Sequence, residues 1–242
     1  MKRGARLAWL DPGDPPDAFP DAARALEQPN GLLAAGGDLA PERLLAAYGR
    51  GIFPWFSAGE PILWWSPDPR AVLRPGELHV SRRLARTLRS GRFTVSVDQA
   101  FGEVIHACAA TRGESATWLT PEMIDAYCRL HEMGVAHSVE SWSAGRLAGG
   151  VYGINLGSVF FGESMVSLLP DGSKVAMVKL AALATGLGIH LIDCQVPNPH
   201  LMRLGAVLMP REEFLGLIGR GTREAPVRRL RAEAAGPVPL RP

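Results

Sequence analysis

Asp193 and Gln195 stand two residues apart in the run Gly188 to Val196, GIHLIDCQV. Its apolar character, with Gly186 and Gly188 before it and Pro197 after it, predicts a short buried strand. Alternate side chains of a strand share a face, which groups Leu191, Asp193 and Gln195 on one side and Ile192, Cys194 and Val196 on the other. A carboxyl and a carboxamide then sit side by side, about 6–7 Å apart at ~3.3 Å per residue. A carboxylate in such a run costs free energy unless it is hydrogen-bonded. Asp193 can cap a neighbouring helix or pair with an arginine, which is structure alone. It can also hold the amide of Gln195, which has an acceptor and two donors to offer a reacting group.

The rest of the chain must build a frame for these residues. With 242 residues, 47% of them hydrophobic, it can bury a real core as one large domain or as a small and a medium one. The apolar run Val175 to Leu187 is interrupted by Lys179 and Gly186 and falls short of the ~20 residues of a membrane helix. Asp11, Asp14 and Asp17 arrive before any apolar export segment forms, so a cytoplasmic location is expected. Cys108, Cys128 and Cys194 have neither disulfide-framework nor metal spacing. Nor do His106, His131, His137 and His200, which read as packing or capping residues; no metal is expected.

Net charge is only +2, but all of the 26 cationic side chains except Lys2, Lys174 and Lys179 are arginine. Arg82, Arg86 and Arg89 recur at i, i+4, i+7 with Arg83 beside them, while Leu84 and Leu88 take another face. This stripe is either a solvated helix face or a surface for phosphates, which arginine binds in bidentate fashion. A second basic run, Arg220, Arg223, Arg228, Arg229 and Arg231, falls in a Pro- and Gly-rich tail expected to be poorly ordered.

Residues 1 to about 30 read as extended, packed at best around Trp9, Leu10 and Phe19. Leu32 to Ala35 reads as a strand between the turn formers Asn30-Gly31 and Gly36-Gly37, and Pro41 to Gly49 as a short helix. Trp55, Trp64 and Trp65 form a dense aromatic cluster, and Pro67 and Pro69 mark a break. Beyond it come a strand at Phe93–Val97 and helices from Asp98 and from Thr120-Pro121. Three antiparallel strands follow at Ala136–Trp142, Leu147–Ile154 and Val159–Ser167, then a long helix at Ser173–Thr185. The strand carrying Asp193, a short helix at His200–Leu204 and a last strand at Ala206–Met209 complete the order. The 22-residue crossover makes Val159–Ser167 and His190–Val196 a parallel pair.

This order, β-α-α-β-β-β-α-β-α-β, resembles the acyltransferase fold of the GCN5-related N-acetyltransferases, in which the parallel pair splays around the acyl group. Phe161, Glu163 and Met165 alternate together on the first strand of that pair, so Glu163 is expected to face the crevice. The turn before the long helix, Leu168 to Ser173, has one glycine, a proline and an acid where those enzymes cradle a pyrophosphate, a poor setting for coenzyme A.

Together, EQPNGLLAAGGDL (Glu27–Leu39), GIFPWF (Gly51–Phe56), LWWSPDPR (Leu63–Arg70), LHVSR (Leu78–Arg82), His137–Glu140, GESM (Gly162–Met165), Ser173–Val175 and LIDCQV (Leu191–Val196) resemble the leucyl/phenylalanyl-tRNA-protein transferases over residues 19 to about 218. The resemblance implies an α+β chain: a small N-terminal domain, placed at 1–68, then an N-acetyltransferase-like domain with a mixed sheet at 69–242. It implies an aminoacyltransferase that moves Leu, Phe and to a lesser extent Met from tRNA to the N-terminal amine of proteins beginning with Arg or Lys, in the N-degron pathway. No cofactor is implied, and a monomer is expected. Asp193 and Gln195 become the catalytic pair, with Asp193 fixing and polarising Gln195, and Glu163 the holder of the cationic acceptor. Trp55, Trp118, Phe161, Met165 and Ile192 become the walls around the donor side chain, and Arg82, Arg83, Arg86 and Arg89 the tRNA contacts. The rival readings are a coenzyme A-dependent N-acetyltransferase of the same fold and an RNA-binding module without catalysis.

Overall fold

The computed structural model describes residues 7–111, 118–224 and 230. A four-stranded sheet comes first: β1 (Ala8–Leu10), β2 (Leu32–Gly36), β3 (Phe53–Pro54) and β4 (Leu63–Trp65), in the order β1-β2-β4-β3. Helix α1 (Pro41–Tyr48) separates β2 from β3 and starts with proline at its first position, where no N–H is missed. Of the three N-terminal packing residues expected, Leu10 and Phe19 are buried, Phe19 with its ring edge-on to Trp64 at 4.8 Å, but Trp9 is 64% exposed. Trp9 is no packing residue: it lies on β1, a sheet edge with core on only one side.

The larger sheet contains β5 (Arg70–Leu73), β6 (Thr94–Val97), β7 (Ala136–Ser143), β8 (Arg146–Leu156), β9 (Val159–Ser167), β10 (Leu191–Gln195) and β11 (Val207–Met209), ordered β11-β5-β10-β9-β8-β7-β6. It is a mixed sheet: β9 and β10 are parallel, and the other neighbours are antiparallel. The element order from Phe93 to Met209 is the expected one, with α3 (Phe101–Ala110), α4 (Pro121–Glu132), α5 (Gly172–Gly186) and α6 (Pro199–Arg203) in place. Helix α2 (Arg82–Arg89) is capped by Ser81, which accepts from Leu84 N at 3.2 Å, and α4 by Thr120, which accepts from Met123 N at 3.3 Å.

Besides β3 and β4, short strands in the stretch read only as an aromatic cluster, two longer elements depart from the sequence reading. Strand β5 directly follows the Pro67–Pro69 break and slots between β10 and β11; Ala71, Val72 and Leu73 are wholly buried. The tail begins as a helix, α7 (Arg211–Glu224), whose Phe214 and Ile218 are spaced i, i+4 and buried. Arg220 lies on it; the side chain of Arg223 and all of Arg228, Arg229 and Arg231 lie outside the described residues.

Although the smaller sheet draws its strands from before residue 69 and the larger from after it, one apolar cluster joins them. It runs from Leu10, Trp64, Tyr48 and Ile52 to Tyr127, Tyr152 and Phe161. The second face of the larger sheet packs Ile192, Cys194 and Phe160 under Met177 and Leu180 of α5. Among the described residues no helix is long and apolar enough to cross a membrane.

Candidate active site

Strands β9 and β10 are paired through Phe161 and Asp193 and then part. Each becomes irregular at the point of parting. On β9, Ser164 pairs with Tyr152 and Gly162 with Gly153, so Glu163 is an extra residue, a β-bulge. Glycine is needed opposite it, since a Cβ on Gly153 would lie 2.1 Å from the Phe161 carbonyl oxygen. On β10, the pairing with β5 slips between Asp193 and Gln195, and Gln195 takes a left-handed φ of 55°. Such a conformation costs a non-glycine residue about 1–2 kcal/mol. The two irregularities turn Glu163 and Gln195 towards each other, and Gln195 Nε2 donates to Glu163 Oε1 at 3.2 Å.

The simple alternation expected for both strands is therefore broken. Asp193 and Gln195 do not share a face as side-by-side groups, and the contact between them is not amide to carboxylate. Asp193 Oδ1 instead accepts from the backbone N–H of Gln195 at 2.9 Å and clamps the strained residue. The same carboxylate takes a two-pronged bond from Arg70, Nε to Oδ1 at 2.8 Å and Nη2 to Oδ2 at 2.7 Å. Both side chains are fully buried. Arg70 also donates to the Gly51 carbonyl at 3.1 Å and has the rings of Phe53 and Phe214 each 4.7 Å from its guanidinium carbon. Asp193 lines neither cavity of the cleft described below and is tied to it through Gln195, whose backbone N–H it holds. Arg70, expected only as part of a motif, holds Asp193 in turn.

Behind Glu163 lies a chain of phenols. Tyr127 Oη donates to Glu163 Oε2 at 2.7 Å, and Tyr48 Oη lies 2.6 Å from Tyr127 Oη. Burial pushes the Glu163 carboxyl up to about 7; the Tyr127 and Tyr48 hydroxyls hold it down in part, Asp193 raises it and Arg70 lowers it. Both tyrosines are pushed well above the ordinary phenol value, first by burial and next by the Glu163 charge. The Glu163 carboxyl is thereby moved out of the ordinary carboxylate range to about 7. Cys194, beside it, has its thiol pushed up by burial and then by Asp193. It is not a thiolate nucleophile.

Two cavities meet at this pair. One, of about 200 Å³, is apolar at its base, with Val151, Met165, Met177, Leu180 and Ile192. The other, of about 260 Å³, has Trp55 and Trp118 as walls, with Phe53 and Pro54. Glu163, Cys194, Gln195 and Asn198 line both. The five residues expected around one side chain are therefore divided: Met165 and Ile192 on one side, Trp55 and Trp118 on the other. Phe161 lines neither cavity; it is wholly buried, edge-on to Tyr48 at 5.3 Å. The bulge at Glu163 reverses parity along β9, which puts Phe161 on the face opposite Met165. Ile192, assigned by parity to the face away from Asp193, reaches the cavity because the cavity opens on that face.

Arg82, Arg83, Arg86 and Arg89 are all exposed on α2, away from the cleft residues, while Leu84 is buried beneath them. His137 and Glu140 are not at the cleft: both are buried on β7, His137 Nδ1 at 2.7 Å from Asp98 Oδ2, and Glu140 accepting from the Ser96 and Ser138 hydroxyls. Among the described residues no group of three or more His, Cys, Asp and Glu side chains is placed to hold a metal ion.

Known proteins resemble this chain along most of its length. The family model for leucyl/phenylalanyl-tRNA protein transferase matches residues 72–219, and the model for that family's N-terminal domain matches residues 37–68. A leucyl/phenylalanyl-tRNA–protein transferase of Anaeromyxobacter dehalogenans (strain 2CP-C) is 55% identical over 223 residues, covering 91% of this chain and 95% of its own. Those of Alkalilimnicola ehrlichii and Nitratidesulfovibrio vulgaris (strain DP4) are 57% and 56% identical, over 87% of this chain and 82% and 91% of theirs. Among solved structures, a GCN5-related N-acetyltransferase from Kribbella flavida matches at 14% identity and a TM-score of 0.40, over 69% of this chain and 60% of its own. The chain belongs to the leucyl/phenylalanyl-tRNA–protein transferase family of aminoacyltransferases.

Proposed function

We propose that the protein moves Leu or Phe, and less readily Met, from its tRNA to the N-terminal amine of proteins beginning with Arg or Lys. The reaction would mark them for degradation in the cytoplasm by the N-degron pathway, with the enzyme acting as a monomer. The observation that carries this reading is the facing of Glu163 and Gln195 at 3.2 Å, at the common wall of an apolar hole and a tryptophan-walled cleft. An aminoacyl-adenosine terminus has the matching halves. Its aliphatic or aromatic side chain suits the hole of Met165 and Ile192, where unbranched methionine adapts to two shapes. Its adenine suits stacking between Trp55 and Trp118. The ester joining them then lies beside Gln195, Glu163 and Asn198.

Aminolysis of that ester is downhill, and much of the acceleration comes from holding amine and ester together. Glu163 receives the acceptor's α-ammonium and takes its proton, which a carboxyl of pKa about 7 and an α-amine of about 7.7–8.0 allow near neutrality. The freed amine attacks the ester carbonyl, aligned by the Gln195 carbonyl oxygen, and the second Gln195 N–H stabilises the oxyanion. Collapse breaks the carbon–oxygen bond to the ribose. The proton held by Glu163 passes to the leaving ribose oxygen, and the surplus proton of the acylated nitrogen passes to the Glu163 carboxylate so regenerated and from it to solvent, which leaves a neutral amide and a neutral hydroxyl. The exposed α2 arginines would meet the tRNA backbone.

The backbone before α5 argues against a coenzyme A donor. Leu168 N and Leu169 N both bond to the Ala148 carbonyl, Gly172 N to the Leu169 carbonyl and Ser173 N to Ser167 Oγ, while Pro170 has no N–H. A pyrophosphate would find those donors committed. Radiolabelled Leu-tRNA incubated with a peptide beginning with Arg, and with a matched one beginning with Ala, tests the reading. Label is expected in the Arg peptide only. Label in neither, with a thermal shift on adding coenzyme A, would replace it by the acetyltransferase reading; tRNA binding without transfer would leave an RNA-binding module.

A further inference from the structure

A third cavity, of about 270 Å³, opens beside the apolar hole and shares His200 with it. Its lining includes His79, Ser81, Lys174, His200 and Arg203, and no acid among the described residues. Four potential cations from three segments meet there. His79 comes from the loop tied to α6 through its N–H to the Leu204 carbonyl at 2.9 Å, and Lys174 from the first turn of α5. His200 and Arg203 come from α6 itself. Lys174 is partly spent on Asp171 at 2.9 Å, but Arg203 carries no salt bridge among the described residues. Nε2 of His200 is buried without a partner. Burial, then the nearby charges of Lys174 and Arg203, hold His200 below the usual imidazole value.

On the reading of the site given above, we infer that this cavity is a subsite for a backbone phosphate of the single-stranded acceptor end of the donor tRNA. The position argues for a polynucleotide. On one side His200 borders the hole next to Gln195; on the other, Ser81 is the cap of α2, whose outer face presents Arg82, Arg83, Arg86 and Arg89. Positive charge therefore lies on both sides of the cavity, with Asp171, held by Lys174 and by Thr87 of α2, the one acid between the arginine stripe and Lys174 among the described residues. An acceptor beginning with Arg or Lys would be repelled here, while an anionic strand threading from α2 to the cleft would be neutralised at each step.

The test replaces Arg203 by Gln, alone and with Lys174→Gln, and uses two donors: Leu-tRNA, and 3′-O-leucyl-adenosine, which has the ester and the base but no phosphate. Both side chains are solvent-accessible, so melting temperatures should stay within a few degrees, and Arg203→Lys serves as a charge-preserving control. The single variant is expected to raise KM for Leu-tRNA about tenfold, to flatten the slope of log affinity against log salt by roughly one unit, and to leave leucyl-adenosine within twofold. Equal losses with both donors, or no loss with either, would overturn the subsite. If the wild type binds tRNA but transfers from neither donor, and Arg203→Gln still weakens binding with the smaller salt slope, the subsite stands and the transfer reading falls.

Discussion

Replacing Asp193 by Asn keeps shape and volume and removes one charge from a place water does not reach. Its carboxylate accepts three bonds, from Arg70 Nε, Arg70 Nη2 and Gln195 N, at 2.8, 2.7 and 2.9 Å. Asparagine can keep its oxygen on Arg70 Nε and Gln195 N, but then turns its own N–H₂ towards Arg70 Nη2, donor against donor. Breaking a buried pair from one side costs about 3–5 kcal/mol, and the Gly51 carbonyl and the two rings beside Arg70 keep this case near the low end. In a chain of this length about 3 kcal/mol lowers Tm by roughly 6–12 °C. The loss of activity has a different origin. Once the clamp on its N–H weakens, Gln195 relaxes out of its left-handed conformation, and a displacement near 1 Å costs about 100-fold in turnover. Transfer measured well below the variant's Tm should show kcat down about 100-fold on both Leu-tRNA and leucyl-adenosine, with KM for Leu-tRNA within twofold. The paired variant Arg70→Met with Asp193→Leu should recover much of the Tm and none of the kcat. A variant Asp193→Asn with normal Tm and normal kcat would refute the clamp; lower Tm with normal kcat would reduce Asp193 to a structural role.

Five further outcomes follow from the same geometry. Because Glu163 is protonated below about pH 7 and ionised above it, kcat/KM should rise with pH through about 7; Glu163→Gln should abolish that limb, leaving only the amine's own ionisation. Tyr127→Phe removes a hydroxyl that holds the Glu163 pKa down, so its limb should move to higher pH in the same pH–rate profile. By linkage the raised carboxyl stabilises the fold most at acid pH and loses that contribution as pH rises through about 7, so Tm of the wild type should fall across that window relative to Glu163→Gln. Ile192→Trp fills a hole of about 200 Å³ and should cut transfer of Leu and Phe more than tenfold while tRNA affinity, measured by filter binding, holds within a few-fold; Phe161→Ala should cost about 3–5 kcal/mol of stability and leave the Leu-to-Phe ratio unchanged.

Much of this was legible in the sequence because hydrophobic period and turn chemistry agree over long stretches. Val159–Ser167 and the parallel strand after a 22-residue crossover follow from spacing alone, as does α4 from Thr120-Pro121. What escaped was local irregularity. The bulge at Glu163 and the left-handed Gln195 have no glycine or proline of their own to announce them, yet they decide which side chains meet. Parity counting puts Phe161 in the cleft and Ile192 on the face away from Asp193. The visible clues were Gly162, next to the bulged residue, and Gly153 on the neighbouring strand, which the bulge requires. Arg70 escaped because a strand of four residues just after two prolines reads as a linker. Tyr48 and Tyr127 escaped because a phenol on the apolar stripe of a helix looks like core until its hydroxyl is followed.

The buried Arg70–Asp193 pair and the proton affinity of Glu163 separate cleanly on electrostatic grounds. Asp193 raises the Glu163 carboxyl and Arg70 lowers it, and both effects rank below burial and the two tyrosine hydroxyls. Seen from Glu163 the two charges of the pair act in opposite directions and both rank below burial, so burial leads in raising the value to about 7 and the pair's main contribution is geometry. Removing one charge exposes what the other does. Asp193→Asn leaves Arg70 unopposed and should move the acid limb of kcat/KM to lower pH even as turnover falls. Arg70→Met leaves Asp193 unopposed and should move it to higher pH. The double variant, with neither charge, should leave the limb near its wild-type position while activity stays low. A catalytic role for Asp193 as the proton acceptor itself predicts something else: the limb would vanish in Asp193→Asn and in the double variant alike, and Glu163→Gln would keep it.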